Sequence, residues 1–186
     1  MLTTTDAIVL SLQPYSDKAH LLHTYTRASG RINYMVYGLG RKNTAGKYSP
    51  LSIVQLTTDE RSVRTAQLMY VPSTLITDPY KRTIALFLSE VMHHVLRHPM
   101  TDEPMFDFIE QAIRELDLME NAENFHIQFL VSFASKLGFA MEKEPAVPTT
   151  RKERQDTLRT LCSYFAEHVD TWQNPRSMDV LMEVFD

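Results

Sequence analysis

Hydrophobic and polar positions alternate along the N-terminal part of the chain with the period of two that half-buried strands produce. Ile8, Leu10 and Leu12 share one face of a first strand. A hairpin turn is predicted at Gly30, because glycine adopts positive φ without strain. The pattern predicts five short strands, over residues 8–12, 20–27, 32–37, 51–57 and 65–71.

Five strands of this length are what a small closed barrel needs, since closure removes exposed strand edges. The oligonucleotide-binding (OB) barrel is the common five-stranded solution. We therefore expect an OB-fold barrel over residues 1–77.

From Asp78 the apolar period changes to about 3.6, which is typical of helices. Asp78 is a good N-cap, and Pro79 is a natural first helical residue. Gly138 is placed to end a later helix. Helices are predicted over residues 79–98, from 102, over 124–137, over 150–169 and around 178–185. The expected fold class is α+β, with the barrel followed by an all-α helical domain over residues 78–186.

The charge distribution follows the same division of the chain. Residues 1–77 hold eight Lys and Arg against four Asp and Glu, whereas residues 78–186 hold eleven against nineteen. A basic part and an acidic part predict different partners. We expect the basic barrel to meet nucleic acid and the acidic helices to meet proteins.

Composition excludes several classes of function. One cysteine, Cys162, excludes a disulfide framework and any zinc site built on several thiolates. No apolar run approaches the roughly 20 residues of a membrane span, and no signal peptide is recognisable. Nucleotide-binding and nucleophile motifs are missing from the sequence. We expect a cytoplasmic, nucleoid-associated protein that has no catalytic residues, cofactor, metal or membrane contact.

Two Glu-x-x-His pairs offer an alternative. Glu90 with His93 and Glu123 with His126 have the spacing by which di-iron bundles present two ligands from one helix. Such a site also needs inward-facing glutamates from two further helices. Matches of this kind arise easily in acidic helices, so a di-metal enzyme is the least favoured hypothesis.

A basic loop between the third and fourth strands is the strongest local signal. Residues 38–47 contain Arg41, Lys42 and Lys47, three glycines and no acid. Glycine lets a backbone approach phosphate, and the cations supply charge-assisted hydrogen bonds. A solvated hairpin tip explains the composition equally well.

The second and third strands add aromatic and basic residues beside this loop. Arg27, Arg31 and Tyr34 lie on strands whose outer face stacks bases in OB barrels. Strand alternation sends Tyr34 and Tyr37 to opposite faces, so one of the two belongs to the core. The predicted DNA-binding residues are Arg27, Arg31, Tyr34, Arg41, Lys42 and Lys47.

Several segments resemble, in order, the bacterial DNA repair protein RecO family. The N-terminal ones are residues 7–10, 14–17, 26–31, 38–42 and 49–51, and the later ones are Glu90, residues 129–139 and residues 177–181. The resemblance implies an OB fold, a helical domain and binding of single- and double-stranded DNA. It also implies strand annealing and work with RecR to load the RecA recombinase onto DNA coated by single-stranded-DNA-binding protein. By position, the DNA-binding role falls on Arg41 and Lys42, with Arg27, Arg31 and Lys47 as neighbours.

The chain departs from this family in one region. Many members carry a four-cysteine zinc module after the segment that matches residues 137–139, whereas residues 140–149 contain no cysteine. We expect a variant that lacks this module. The remaining alternative is a protein-interaction adaptor whose barrel does not touch DNA.

Overall fold

The structure is a computed structural model that describes residues 1–39 and 46–184. Five strands precede six helices along the described chain. They are β1 (Leu2–Ser16), β2 (Ala19–Thr26), β3 (Gly30–Tyr37), β4 (Ile53–Asp59), β5 (Ser62–Tyr70), α1 (Thr74–Thr77), α2 (Pro79–Val95), α3 (Glu103–Leu118), α4 (Phe125–Lys136), α5 (Arg151–His168) and α6 (Met178–Val184).

The five strands form a closed barrel in the order β1-β2-β3-β5-β4. Every pairing is antiparallel except that of β3 with β5, which meet in parallel at Met35 and Ser62. Strand β1 is longer than predicted, because its first half pairs with β4 and its second half with β2. The predicted α+β class, with an N-terminal OB-fold barrel and following helices, is confirmed.

The strand register decides which side chains fill the barrel. Leu12, Leu22 and Tyr34 are successive cross-strand neighbours on β1, β2 and β3. All three point into the barrel core, as does Val36. Because side chains alternate along a strand, the odd-numbered residues of β2 and β3, from Ala19 to Tyr25 and from Arg31 to Tyr37, point outward.

The helix ends follow local chemistry. The Asp78 carboxylate accepts hydrogen bonds from the backbone N–H groups of Tyr80 and Lys81, as expected for an N-cap. Thr150 and Glu153 form a reciprocal capping box at the start of α5. Gly138 follows α4 with a φ of 92°, the left-handed conformation that ends helices. Helix α1 was not predicted, because one turn carries no periodic signal.

The chain divides into two compact units. One consists of residues 1–73 and 96–114, and the other of residues 74–95 and 115–186. The first unit, which we call the barrel unit, therefore contains the barrel, the segment that follows α2 and the first part of α3. The division of the chain into domains between residues 77 and 78 stays a prediction.

Candidate nucleic-acid interface

Three loops of the barrel unit meet at the C-terminal end of β3. The backbone N–H of Gly38 donates to the carbonyl oxygen of Lys18, in the β1–β2 turn, at 3.3 Å. The N–H of Met35 donates to the carbonyl oxygen of Arg61, in the β4–β5 turn, at 2.7 Å. Barrel closure thus brings two turns from distant parts of the sequence to the start of the basic loop. We call this region the open end of the barrel.

The open end presents aromatic and cationic side chains. Tyr37 is 60% exposed because its neighbour Val36 takes the inward position, and Tyr15 near the end of β1 is 69% exposed. Lys18 and Arg61, whose turns are bonded to β3, are exposed as well, and so is Lys47 at the far end of the basic loop. Exposed aromatic rings with cations around them are the groups that hold single-stranded nucleic acid, by base stacking and by phosphate contact.

Acidic side chains lie in or next to these turns, and they are Asp17, Glu60 and Asp59, the last residue of β4. The Asp59 carboxylate is occupied by other groups, since Arg64 donates to it at 3.0 Å and the N-terminal amine lies 3.4 Å away. The hydrogen bond from Arg64 is the main reason that the pKa of Asp59 is lowered. The negative charge of Asp59 is therefore already compensated on the protein surface.

Tyr34 is a correction to the predicted site. Its side chain is 4% exposed and belongs to the barrel core, where burial raises the pKa of the phenol. Its position opposite Leu22 in the register fixes this inward direction. Tyr34 cannot stack on a base from outside, and the exposed tyrosine of β3 is Tyr37.

Arg31 is a second correction. The residue is 8% exposed, with one guanidinium N–H donating to the carbonyl oxygen of Thr24 at 3.3 Å and another guanidinium nitrogen 3.1 Å from Nδ1 of His23. Burial, assisted by the positive charge of Arg97, lowers the pKa of Arg31 to about 10. Its backbone N–H donates to the carbonyl oxygen of His98. The segment that follows α2 thus covers Arg31, which supports the fold and is not available on the surface.

Arg27 points outward but is engaged within the barrel unit. Its guanidinium contacts the carboxylates of Asp107 at 2.6 Å and Glu110 at 3.2 Å. The guanidinium carbon lies 4.3 Å from the ring centroid of Phe106, which is a cation–π contact. A DNA-binding role of Arg27 stays a prediction, and it would require phosphate to replace two carboxylates.

Of the three cations of the basic loop, the structure describes only Lys47. Arg41 and Lys42 lie outside the described residues, so their contact with DNA stays a prediction. Lys47 is exposed beyond them, next to Tyr48, which is buried in the barrel core. The cations missed by the sequence analysis are Lys18 and Arg61. Their position in turns indicates exposure, but no sequence pattern indicates that these two turns lie beside the end of β3.

The glutamates of the two Glu-x-x-His pairs bind protein groups. The Glu90 carboxylate accepts from the backbone N–H of Ser177 at 3.0 Å and from its hydroxyl at 2.9 Å. The Glu123 carboxylate lies 3.1 Å from the Arg154 guanidinium. Within residues 1–39 and 46–184, no three His, Cys, Asp or Glu side chains are grouped so that they could hold a metal ion.

The fold and its open end define a class of protein, an OB barrel with exposed aromatic and charged side chains at one end, followed by a helical part. Within the described residues, no helix is both long and apolar enough to cross a membrane. The family described as Recombination protein O matches the chain in two parts, with its N-terminal model over residues 1–71 and its C-terminal model over residues 76–144. The chain belongs to the RecO family of DNA repair proteins.

Relatives support this assignment. The DNA repair protein RecO of Phocaeicola vulgatus is 34% identical over 148 residues, which cover 74% of this chain and 61% of that protein. The chain thus matches less than two thirds of that relative's length. The RecO protein of Flavobacterium johnsoniae is 26% identical over 232 positions, which cover 97% of this chain and 98% of the relative.

A third relative shows that the difference in length is internal. The RecO protein of Christiangramia forsetii is 22% identical over 238 positions, with both chains covered completely. Since this chain has 186 residues, the relative contains internal segments that this chain lacks. That the zinc module is among them stays a prediction.

Proposed function

We propose that this protein binds single- and double-stranded DNA at the open end of its barrel and acts as a recombination mediator. The observation that carries the proposal is that the turns of Lys18 and Arg61 are hydrogen-bonded to the end of β3, where Tyr37 is exposed and the basic loop begins. Arg41 and Lys42 belong to the same basic loop in sequence and would extend this surface.

The proposed mechanism of binding is charge neutralisation with stacking. Lysine and arginine at phosphates release counterions, so the affinity falls steeply with salt. Tyrosine stacks on any base, because every base has an aromatic face. We therefore expect a surface of this composition to bind DNA with little preference for base sequence.

Annealing would follow from the same charges. Two complementary strands repel each other through their phosphates, and a cationic surface that holds one strand lowers this repulsion toward the second. The proposed activity is therefore a set of binding equilibria and involves no cofactor turnover. Protein partners would be RecR and the single-stranded-DNA-binding protein, with RecA loading as the outcome at the bacterial nucleoid. We assign these partners to the acidic helical part of the chain.

The test is a titration of labelled single-stranded and duplex oligonucleotides by fluorescence anisotropy at several salt concentrations. The variant K18A/R61A removes two cations of the open end. For single strands, each lost phosphate contact should reduce the slope of log affinity against log salt by about 0.7. The matched control K152A/R159A removes two exposed cations of α5 and should leave the slope unchanged.

Two further variants separate the contributions to binding. Y37A should weaken single-strand binding by about 1–3 kcal/mol through lost stacking. R41A/K42A should weaken binding to all sequences alike, whereas a selective loss for one sequence would indicate base recognition. If the protein fails to bind DNA even at low salt, the electrostatic proposal is wrong and the adaptor hypothesis gains support. A pull-down with RecR and single-stranded-DNA-binding protein then tests the partners directly.

A further inference from the structure

The outer face of the β2–β3 hairpin is covered by a segment of the same compact unit. Residues 96–114 follow α2 and return to the barrel unit. Phe106 on α3 is fully buried and stacks on Tyr25 of β2, with ring centroids 6.4 Å apart and an interplanar angle of 18°. An aromatic ring of α3 thus stacks on an aromatic side chain of the barrel, as a base does on the sheet face of an OB barrel.

Carboxylates accompany this ring. Asp107 directly follows Phe106 in sequence, and Glu110 lies one turn further along α3. Both bind the Arg27 guanidinium, which also lies over the Phe106 ring. Phosphate oxygens bind arginine through the same charge-assisted hydrogen bonds as carboxylate oxygens. One short stretch of α3 therefore presents a flat ring and two anions to an aromatic residue and a cation of the barrel.

We propose that residues 103–114 of α3 act as an internal competitor for DNA on the outer face of the β2–β3 hairpin. The Phe106 ring occupies the place of a base, and the Asp107 and Glu110 carboxylates occupy the places of phosphates. While these carboxylates bind Arg27, it does not contact DNA, and DNA binds only at the open end of the barrel. This inference rests on the proposed function, because it concerns the same ligand.

The exposure of the ion pairs makes the competition effective. Arg27 is 32% exposed and Asp107 is 64% exposed, so water and salt reach both groups. Ion pairs that water and salt reach contribute little to stability, because salt screens them; the Glu110 carboxylate, at 25% exposure, is the less accessible of the two. The buried Phe106 ring keeps α3 on the barrel while the two carboxylates compete with phosphate for Arg27.

The experiment measures single-strand affinity and its salt dependence for the full chain carrying D107N/E110Q. Asparagine and glutamine keep the shape of the side chains but remove the charges that hold Arg27. We expect affinity to rise about threefold to tenfold at about 50 mM salt. The slope of log affinity against log salt should steepen by about 0.7, which corresponds to one added phosphate contact.

Two controls assign the gain to Arg27. E103Q removes one exposed carboxylate from the same helix and reports the general effect of charge. Because Glu110 also binds Arg114, the triple variant R27A/D107N/E110Q shows whether Arg27 is the released cation. The gain should disappear in the triple variant. If the double variant does not fold, D107N alone provides the test, since Asp107 is the more exposed of the two carboxylates that bind Arg27.

The outcomes separate this inference from the proposed function. Unchanged affinity in D107N/E110Q, a gain no larger than that of E103Q, or a gain that survives R27A would each overturn the inference and leave binding at the open end intact. A wild-type chain that does not bind DNA, with a D107N/E110Q variant that does, would support the competitor and contradict binding at the open end alone. If neither chain binds at low salt, both proposals are wrong.

Discussion

Among the glycines that the structure describes, Gly30 is the one at which an added methyl group should disturb the barrel unit most. It occupies the hairpin turn between β2 and β3 with a φ of 63°. A Cβ atom at this position would lie well inside van der Waals contact of the Met100 carbonyl oxygen. The Met100 nitrogen and the His98 oxygen would lie 3.0 and 3.1 Å away. Because these neighbours are backbone atoms, the segment after α2 must move to admit the methyl group.

The expected loss of stability in G30A has two parts. A left-handed conformation costs an L-residue about 1–2 kcal/mol. Displacing the covering segment also breaks the hydrogen bond from the Arg31 N–H to His98 at 3.3 Å and the one from the Thr101 hydroxyl to Ala28 at 2.5 Å. At about 0.5–1.5 kcal/mol for each bond, the total loss is about 2–5 kcal/mol.

G38A is the matched control for this substitution. Gly38 has a φ of 71°, but apart from its chain neighbours no atom of the described residues lies within 4 Å of the position of its Cβ. This variant should therefore lose only the conformational part, about 1–2 kcal/mol. Urea unfolding, followed by circular dichroism, gives both free energies of unfolding. Equal losses in the two variants would show that the segment after α2 does not press on the hairpin, and the description of the covered face would then be wrong.

Two further predictions concern the helices. T150A removes the N-cap of α5 and should cost about 1 kcal/mol in urea unfolding, whereas T160A inside the helix should change stability by less than about 0.5 kcal/mol. Burial, with a smaller effect of the Arg154 charge, lowers the pKa of His126 to about 3 from 6.5. Between pH 3 and pH 6.5 this histidine binds a proton in the unfolded chain but not in the folded one. The stability that depends on neutral His126 is therefore complete above pH 6.5 and is lost progressively as the pH falls toward 3. The loss should reach about 2 kcal/mol at pH 5. H126Q should flatten the dependence of the free energy of unfolding on pH, whereas H98Q, at an exposed position, should not. Equal slopes of this free energy against pH in the two variants would contradict the prediction.

The local parts of the fold could be predicted from the sequence. The hairpin at Gly30 and the helix start at Asp78 depend on residues within a few positions of each other, and such patterns are visible in a single chain. The alternation along β3 also required one inward and one outward tyrosine. It could not show that Tyr34 is the inward one, because the direction is fixed by pairing with Leu22 of β2.

The surroundings of Arg31 and Arg27 depend on distant contacts. Arg31 lies on β3 and Arg27 directly follows β2, on an outer face that could be expected to meet solvent, but residues 96–114 cover that face. The Arg27 and Asp107 side chains are 80 positions apart, and no periodicity reports such a pair. Lys18 and Arg61 were missed for the same reason, since only barrel closure brings their turns to the end of β3.

The covered face also has a consequence for the order in which the chain folds during synthesis. Strands β1, β2 and β3 pair with neighbours in sequence, so they can form soon after they leave the ribosome. Phe106 and Asp107 emerge only after the whole of α2, and contacts across so long a loop form late. Until then Tyr25 lies uncovered on the nascent barrel. This interval is when a chaperone would be most useful and when wrong strand pairing would be most damaging.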